Sequence, residues 1–107
     1  MKYPVIKYWI DKTKEFDEWF VDQPPKSKFQ IDTRLISISI DGYFGDHKSV
    51  DSEDLVWELK WKNGRRVYYA YKPNEKILVL LGGNKNGQEK DIKKAKRILI
   101  KSTELED

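Results

Sequence analysis

The chain has no cysteine and one histidine, His47, so zinc-finger, iron–sulfur, thiol-nucleophile and Ser-His-Asp chemistries lose most of their parts. Disulfide staples are excluded with them. No apolar run approaches the length of a membrane span, and the start, Met1 to Lys7, lacks the apolar core and cleavage site of a secretory signal. A cytosolic protein with no membrane partner is therefore expected. Gly82-Gly83-Asn84-Lys85 lacks the spacing of a P-loop, and no cluster of metal-ligand residue types stands out, so neither a cofactor nor a metal is expected.

What is present is charge and aromatic bulk. Over 107 residues, 36% are charged and 13% aromatic, which describes one globular domain spanning residues 1–107 rather than a disordered chain. The net charge of +3 is unevenly spread. Residues 1–59 carry 8 Lys/Arg against 12 Asp/Glu, and residues 60–107 carry 13 against 6. An acidic half followed by a basic one suggests either internal pairing or a basic face for a polyanion.

Val5 to Ile10 is rich in β-branched and aromatic residues and reads as a first strand. Asp11 or Thr13 is placed to cap a helix in which Phe16, Trp19 and Phe20 recur at helical spacing, and Pro24-Pro25 ends it. From Lys26 to Asp41 two periods compete. Ile36, Ile38 and Ile40 alternate as in a strand, whereas Ile31, Leu35 and Ile38 follow a helical repeat. Propensity alone favours a strand at its end. Gly42 to His47 reads as a loop.

Leu55 to Lys62 alternates, with Leu55, Trp57, Leu59 and Trp61 on an apolar face and Glu58, Lys60 and Lys62 on a polar one. Asn63-Gly64 turns the chain into Arg65 to Tyr71, and Pro73-Asn74-Glu75 turns it again. Ile77 to Leu81 is continuously apolar, as expected of a central strand covered on both faces, and the strand ends at Gly82-Gly83. Ile92, Ala95 and Leu99 mark a last helix from about Gln88 to Lys101, and the acidic Glu104 to Asp107 is expected to fray. The four tryptophans, Trp9, Trp19, Trp57 and Trp61, fall on apolar faces and are read as core.

Hairpin register decides which arginine joins Lys60. A two-residue Asn63-Gly64 turn pairs Lys62 with Arg65, whereas a three-residue loop Lys62-Asn63-Gly64, with Gly64 in the left-handed conformation, pairs Lys60 with Arg66. The second is favoured. It gathers Glu58, Lys60, Arg66 and Tyr68 on one surface.

The order Phe16-Asp17-Glu18-Trp19, Gly42-Tyr43-Phe44-Gly45-Asp46, Trp57-Glu58-Leu59-Lys60 and Gly64-Arg65-Arg66-Val67-Tyr68-Tyr69 resembles the RelE/ParE superfamily of bacterial toxins. Leu80 to Lys96 looks like the tail motif of its addiction-module killer, or HigB-like, branch. The resemblance implies an α+β, RelE-like fold: two N-terminal helices packed on a mostly antiparallel four-stranded sheet, with a short C-terminal helix. It also implies a helix over 26–41, against the strand propensity there.

The activity it implies is that of a toxin of a type II toxin–antitoxin system, a ribosome-dependent, metal-independent mRNA endonuclease held by a cognate antitoxin protein. A gyrase-poisoning ParE-like toxin shares the scaffold, and a non-catalytic nucleic-acid-binding module is a rival from another class. An endoribonuclease must activate a ribose 2′-hydroxyl, stabilise charge at phosphorus and protonate a leaving oxygen. By the resemblance, Arg66 takes the phosphate charge and Lys60 stabilises charge or transfers a proton. Glu58 is a base or a salt-bridge partner. Lys62, Arg65, Tyr68, Lys85, Asn86 and Gln88 are the expected RNA-binding residues, with Tyr68 or Tyr69, whichever faces the cations, stacking on a base, Lys85 on phosphate, and Asn86 and Gln88 hydrogen-bonding. The general acid has no assignment, and His47 is the reserve candidate.

Overall fold

The computed structural model describes residues 5–105, so Glu106 and Asp107 of the expected frayed tail lie outside it. Strand β1 is Trp9–Lys12, helix α1 Lys14–Val21 and helix α2 Pro25–Asp41. Strands β2 (His47–Ser49), β3 (Trp57–Lys60), β4 (Arg65–Lys72) and β5 (Lys76–Asn84) follow, then a 3-10 turn at Lys85–Gly87 and helix α3, Gln88–Leu105. The strands form one sheet in the order β1-β5-β4-β3-β2, with β1 parallel to β5 and every other pair antiparallel.

Several expectations hold for physical reasons. Thr13 caps α1, its hydroxyl accepting from Phe16 N–H at 3.1 Å while donating to the Leu80 carbonyl at 2.7 Å, which ties the helix start to β5. Residues 26–41 are helical: Ile31, Leu35 and Ile38 are the side chains that α2 buries. Pro25 starts this helix, where its missing N–H costs nothing. Gly42 ends it at φ 67°, with its N–H and that of Tyr43 returning to the last turn.

Others need correction. The sheet has five strands rather than four, because His47–Ser49, whose first residue is read from the sequence as the end of a loop, pairs with Trp57–Leu59. The first strand begins four residues later than expected, at Trp9, which is itself exposed rather than core. The C-terminal helix is 18 residues long, not short. Gly82 and Gly83 lie inside β5 and not at its end. A Cβ on Gly82 would overlap the Trp19 indole, and one on Gly83 would overlap the Asp91 carboxylate, so these glycines admit α1 on one face and α3 on the other.

The largest correction concerns the polar face of the hairpin. Helices α1 and α2 cover one side of the sheet, over Phe16, Ile31, Leu59, Val67, Tyr69 and Val79. Helix α3 covers the other, over Val56, Tyr68, Ala70, Leu80 and Ala95. Alternation in β3 and β4 separates two buried faces instead of an inside from an outside.

Candidate functional site

The site is built by the β3–β4 hairpin and the start of α3. Trp61 N–H donates to the Arg65 carbonyl and Gly64 N–H to the Trp61 carbonyl, each at 3.1 Å, and Gly64 has φ 96°. The loop is thus Lys62-Asn63-Gly64. Lys60 pairs with Arg66 and Glu58 with Tyr68, the register favoured from the sequence.

Under the start of α3, the fully buried Glu58 is surrounded by donors. Its Oε2 accepts from Gln88 Nε2 at 3.0 Å and lies 3.7 Å from Arg66 Nε, while Oε1 is 4.0 Å from Lys48 Nζ. Lys48 enters from β2, the strand that sequence reasoning missed. Arg66 keeps 11% of its side chain exposed. Tyr68 is fully buried beside them, and burial, together with the nearby Glu58 and Asp91 carboxylates, raises its pKa. Among the described residues, the buried side-chain atoms without a hydrogen-bond partner are Glu58 Oε1, Arg66 Nε and Tyr68 Oη.

That burial corrects two expectations. Tyr68 has no surface on which a base could stack. Gln88 spends an amide N–H on Glu58 and orients that carboxylate. Asp91, three residues further along α3, is a group the sequence reading passed over; burial pushes its carboxyl up, partly offset by Lys94 and Lys90. The one hint of it in the sequence was Gly83, whose lack of a side chain makes room for that carboxylate.

Arg65 faces the opposite way. Its guanidinium donates to Gln30 Oε1 at 3.0 Å and Ser27 Oγ at 2.7 Å and sits 5.6 Å from the Trp61 ring. It is buried, desolvation lowers its pKa, and it holds α2 on the sheet, which leaves it no surface for RNA. His47 is committed likewise. Its Nδ1 and the Tyr69 hydroxyl share a hydrogen bond of 2.9 Å, and its ring stacks on Phe44 at 5.0 Å and Trp57 at 5.9 Å. The reserve acid candidate belongs to an aromatic stack on the α2 side.

Lys60 ends β3 just beyond the β2 pairing, its N–H donating to the Asp46 carbonyl at 2.9 Å. There a cleft of about 410 Å³ is lined by Gln30, Arg34, Asp46, Lys60, Trp61, Lys62 and Asn63. Arg34, unremarked in the sequence, lies 4.4 Å over the Trp61 ring and donates to the Phe44 and Lys60 carbonyls at 3.3 and 3.2 Å. Its position between Ile31 and Leu35 of a core stripe was the available signal. Lys85 and Asn86 are exposed in the 3-10 turn. Lys85 N–H donates to the Gly64 carbonyl at 2.8 Å, and its stem runs along Gly64, which sets Lys85 beside the hairpin loop.

The architecture, a mixed five-stranded sheet with paired N-terminal helices on one face and a C-terminal helix on the other, is the RelE-like α+β fold. Within that class the chain belongs to the phage-derived protein Gp49-like family (DUF891), whose model matches residues 18–101. It is 37% identical to an uncharacterised protein of Haemophilus influenzae over 90 residues, which is 81% of this chain and 88% of that one. Solved structures similar in fold include two from Escherichia coli. A mutant Escherichia coli toxin RelE in the free state superposes with a TM-score of 0.68 at 15% identity, covering 87% of this chain and 99% of that one. The intact E. coli RelBE toxin–antitoxin complex gives 0.58 at 13% identity, covering 72% of this chain and 95% of the matched chain. Among the described residues, no helix is long and apolar enough to cross a membrane.

Proposed function

We propose that this protein is the toxin of a type II toxin–antitoxin pair, of the HigB-like branch, acting in the cytoplasm as a metal-independent endonuclease on ribosome-bound mRNA. The observation that carries the reading is the cluster beneath α3. Glu58 Oε1 and Arg66 Nε lie in ion-pair range of their neighbours but make no hydrogen bond, and Tyr68 Oη makes none either, which is less favourable to the fold than full satisfaction by about 1–3 kcal/mol per unsatisfied buried polar atom. Buried polar clusters with hydrogen bonds left unmade concentrate at functional sites. The likeness to RelE, which in one solved structure is bound to an antitoxin, supports a cognate antitoxin as partner.

Arg66 stabilises charge on the scissile phosphate, with Glu58 orienting its guanidinium. Lys60, at the edge of the cationic cleft, stabilises charge or transfers a proton, and Lys62, Lys85 and Asn86 follow the RNA backbone from the adjoining loops. Asp91, whose carboxyl holds its proton to higher pH than usual, takes the unfilled role of general acid.

A second reading, a nucleic-acid-binding module without catalysis, draws on the cleft of Arg34, Lys60 and Lys62 around Trp61. Transcript 5′ ends mapped after brief induction separate the two. New ends that disappear in Arg66→Ala support the endonuclease. Arrest without new ends, with salt-dependent binding of single strands, supports the module, and altered plasmid supercoiling points to gyrase.

A further inference from the structure

Helix α2 has a second apolar face. Its buried residues, Ile31, Leu35 and Ile38, point to the sheet. On the opposite side Phe29, Thr33, Ile36 and Ile40 recur at i, i+4, i+7 and i+11, the 4-3-4 spacing by which one helix packs along another. Phe29 is 72% exposed and Ile36 61%. Beside Ile36 the apolar surface continues into a recess of about 380 Å³ walled in part by Ile10 and Leu35.

We propose that this face docks against the same face of a second copy of the chain, the two α2 helices running antiparallel about a two-fold axis that passes between Arg34 and Leu35. The stripe is self-complementary about that point: Phe29 lies opposite the partner helix's Ile40, and Thr33 opposite its Ile36. An isologous interface demands such symmetry.

The charges argue for the same arrangement. Lys26 sits in the first turn of α2 and Asp41 at its last residue, and the helix has no acidic residue in the first turn and no basic one in the last. Both charges therefore oppose the helix's own macrodipole. Lys26 and Asp41 lie on the same flank of the stripe, so an antiparallel copy brings each Lys26 within reach of an Asp41 across the axis. It also sets the two macrodipoles head to tail. Charges that are unfavourable in one helix become complementary in the pair. This inference is independent of the proposed enzymatic reading, because it uses neither the hairpin nor α3.

The test is the mass in solution of the purified full chain, without any partner protein, by sedimentation over a range of concentrations. The expected result is a reversible rise from 12.8 kDa to twice that mass. Phe29→Glu with Ile36→Glu, both on exposed positions, should hold the chain at the monomer mass with unchanged circular dichroism. Lys26→Asp should lower the dimer fraction while raising thermal stability at low concentration, since it corrects the macrodipole. Adding Asp41→Lys should restore the dimer. In a chain free of cysteine, Thr33→Cys should cross-link on mild oxidation and Thr103→Cys should not. A chain that stays monomeric at millimolar concentration overturns the proposal, and the face then belongs to an amphipathic helix of another protein. A dimer indifferent to the Phe29 and Ile36 substitutions overturns it too.

Discussion

The two faces of the β3–β4 hairpin are built from adjacent residues and treated in opposite ways. On the face under α2, Arg65 is matched by Gln30 and Ser27, Arg34 by two carbonyls, and His47 by Tyr69. On the face under α3, buried Glu58 has Arg66 Nε at 3.7 Å and Lys48 Nζ at 4.0 Å, within ion-pair range but beyond a hydrogen bond, and the Tyr68 hydroxyl has no hydrogen-bond partner. Consecutive arginines thus have different work, one holding a helix and the other facing a buried carboxylate. Polar groups in a low-dielectric interior stabilise only when satisfied, so the second face has been kept at a cost to stability.

Phe16→Ala on the α1 side should cost about 3–5 kcal/mol, read as a shift of the denaturation midpoint, a large part of a small domain's stability. Arg65→Ala should cost about 1–3 kcal/mol, because Gln30 and Ser27 lose their shared partner. Arg66→Lys, which keeps a cation beside the buried Glu58, should leave stability within about 1 kcal/mol and still depress growth arrest, because the planar guanidinium is lost. Equal losses of stability from the two arginines would erase the distinction between the faces. The tyrosine pair gives a finer version. Tyr69→Phe removes the partner of His47 and should cost about 1 kcal/mol, whereas Tyr68→Phe removes a partnerless hydroxyl and should be neutral or stabilising.

Much of the fold was legible because it rests on local chemistry. A cap at Asp11 or Thr13, a turn at Asn63-Gly64 in one of two registers and the continuously apolar β5 are each signalled within a few residues. The family resemblance was needed for α2, where Ile36, Ile38 and Ile40 mimic a strand. The structure explains the mimicry: Ile38 faces the core, and Ile36 belongs to the outward stripe. The site was harder to read. Lys60 with Arg66 followed from loop length, but nothing local told a solvated polar strand face from one roofed by a helix thirty residues on. The sequence alone therefore makes Glu58 and Tyr68 accessible and Arg65, which shares its residue type with Arg66, a ligand contact. Arg34, Lys48 and Asp91 arrive through tertiary packing from three separate elements, which no spacing in the chain records.

The smallest expected effect is on the pH dependence of stability, and it separates Asp91 from Asp51. Asp51 accepts from Lys96 at 3.0 Å and from Leu55 N–H at 2.9 Å, and the Lys96 hydrogen bond leads in lowering its pKa despite opposing desolvation. Its folded pKa is below its unfolded one, so its contribution is full above the unfolded value and disappears as pH falls through the folded one. Asp91 has the reverse sign. Burial raises its folded pKa, so the folded state binds the proton more tightly; the favourable term is present below the unfolded pKa and is lost as pH rises through the folded one. Asp51→Asn should therefore weaken the fold at neutral pH and flatten its loss in acid. Asp91→Asn should hold or raise stability at neutral pH. If Asp91 also donates the proton to the leaving oxygen, the same variant should depress cleavage while the fold becomes firmer, and the alkaline limb of the parental pH–rate profile should disappear. Cleavage at the parental rate with that limb intact would leave Asp91 as a buried carboxylate under Gly83 and nothing more.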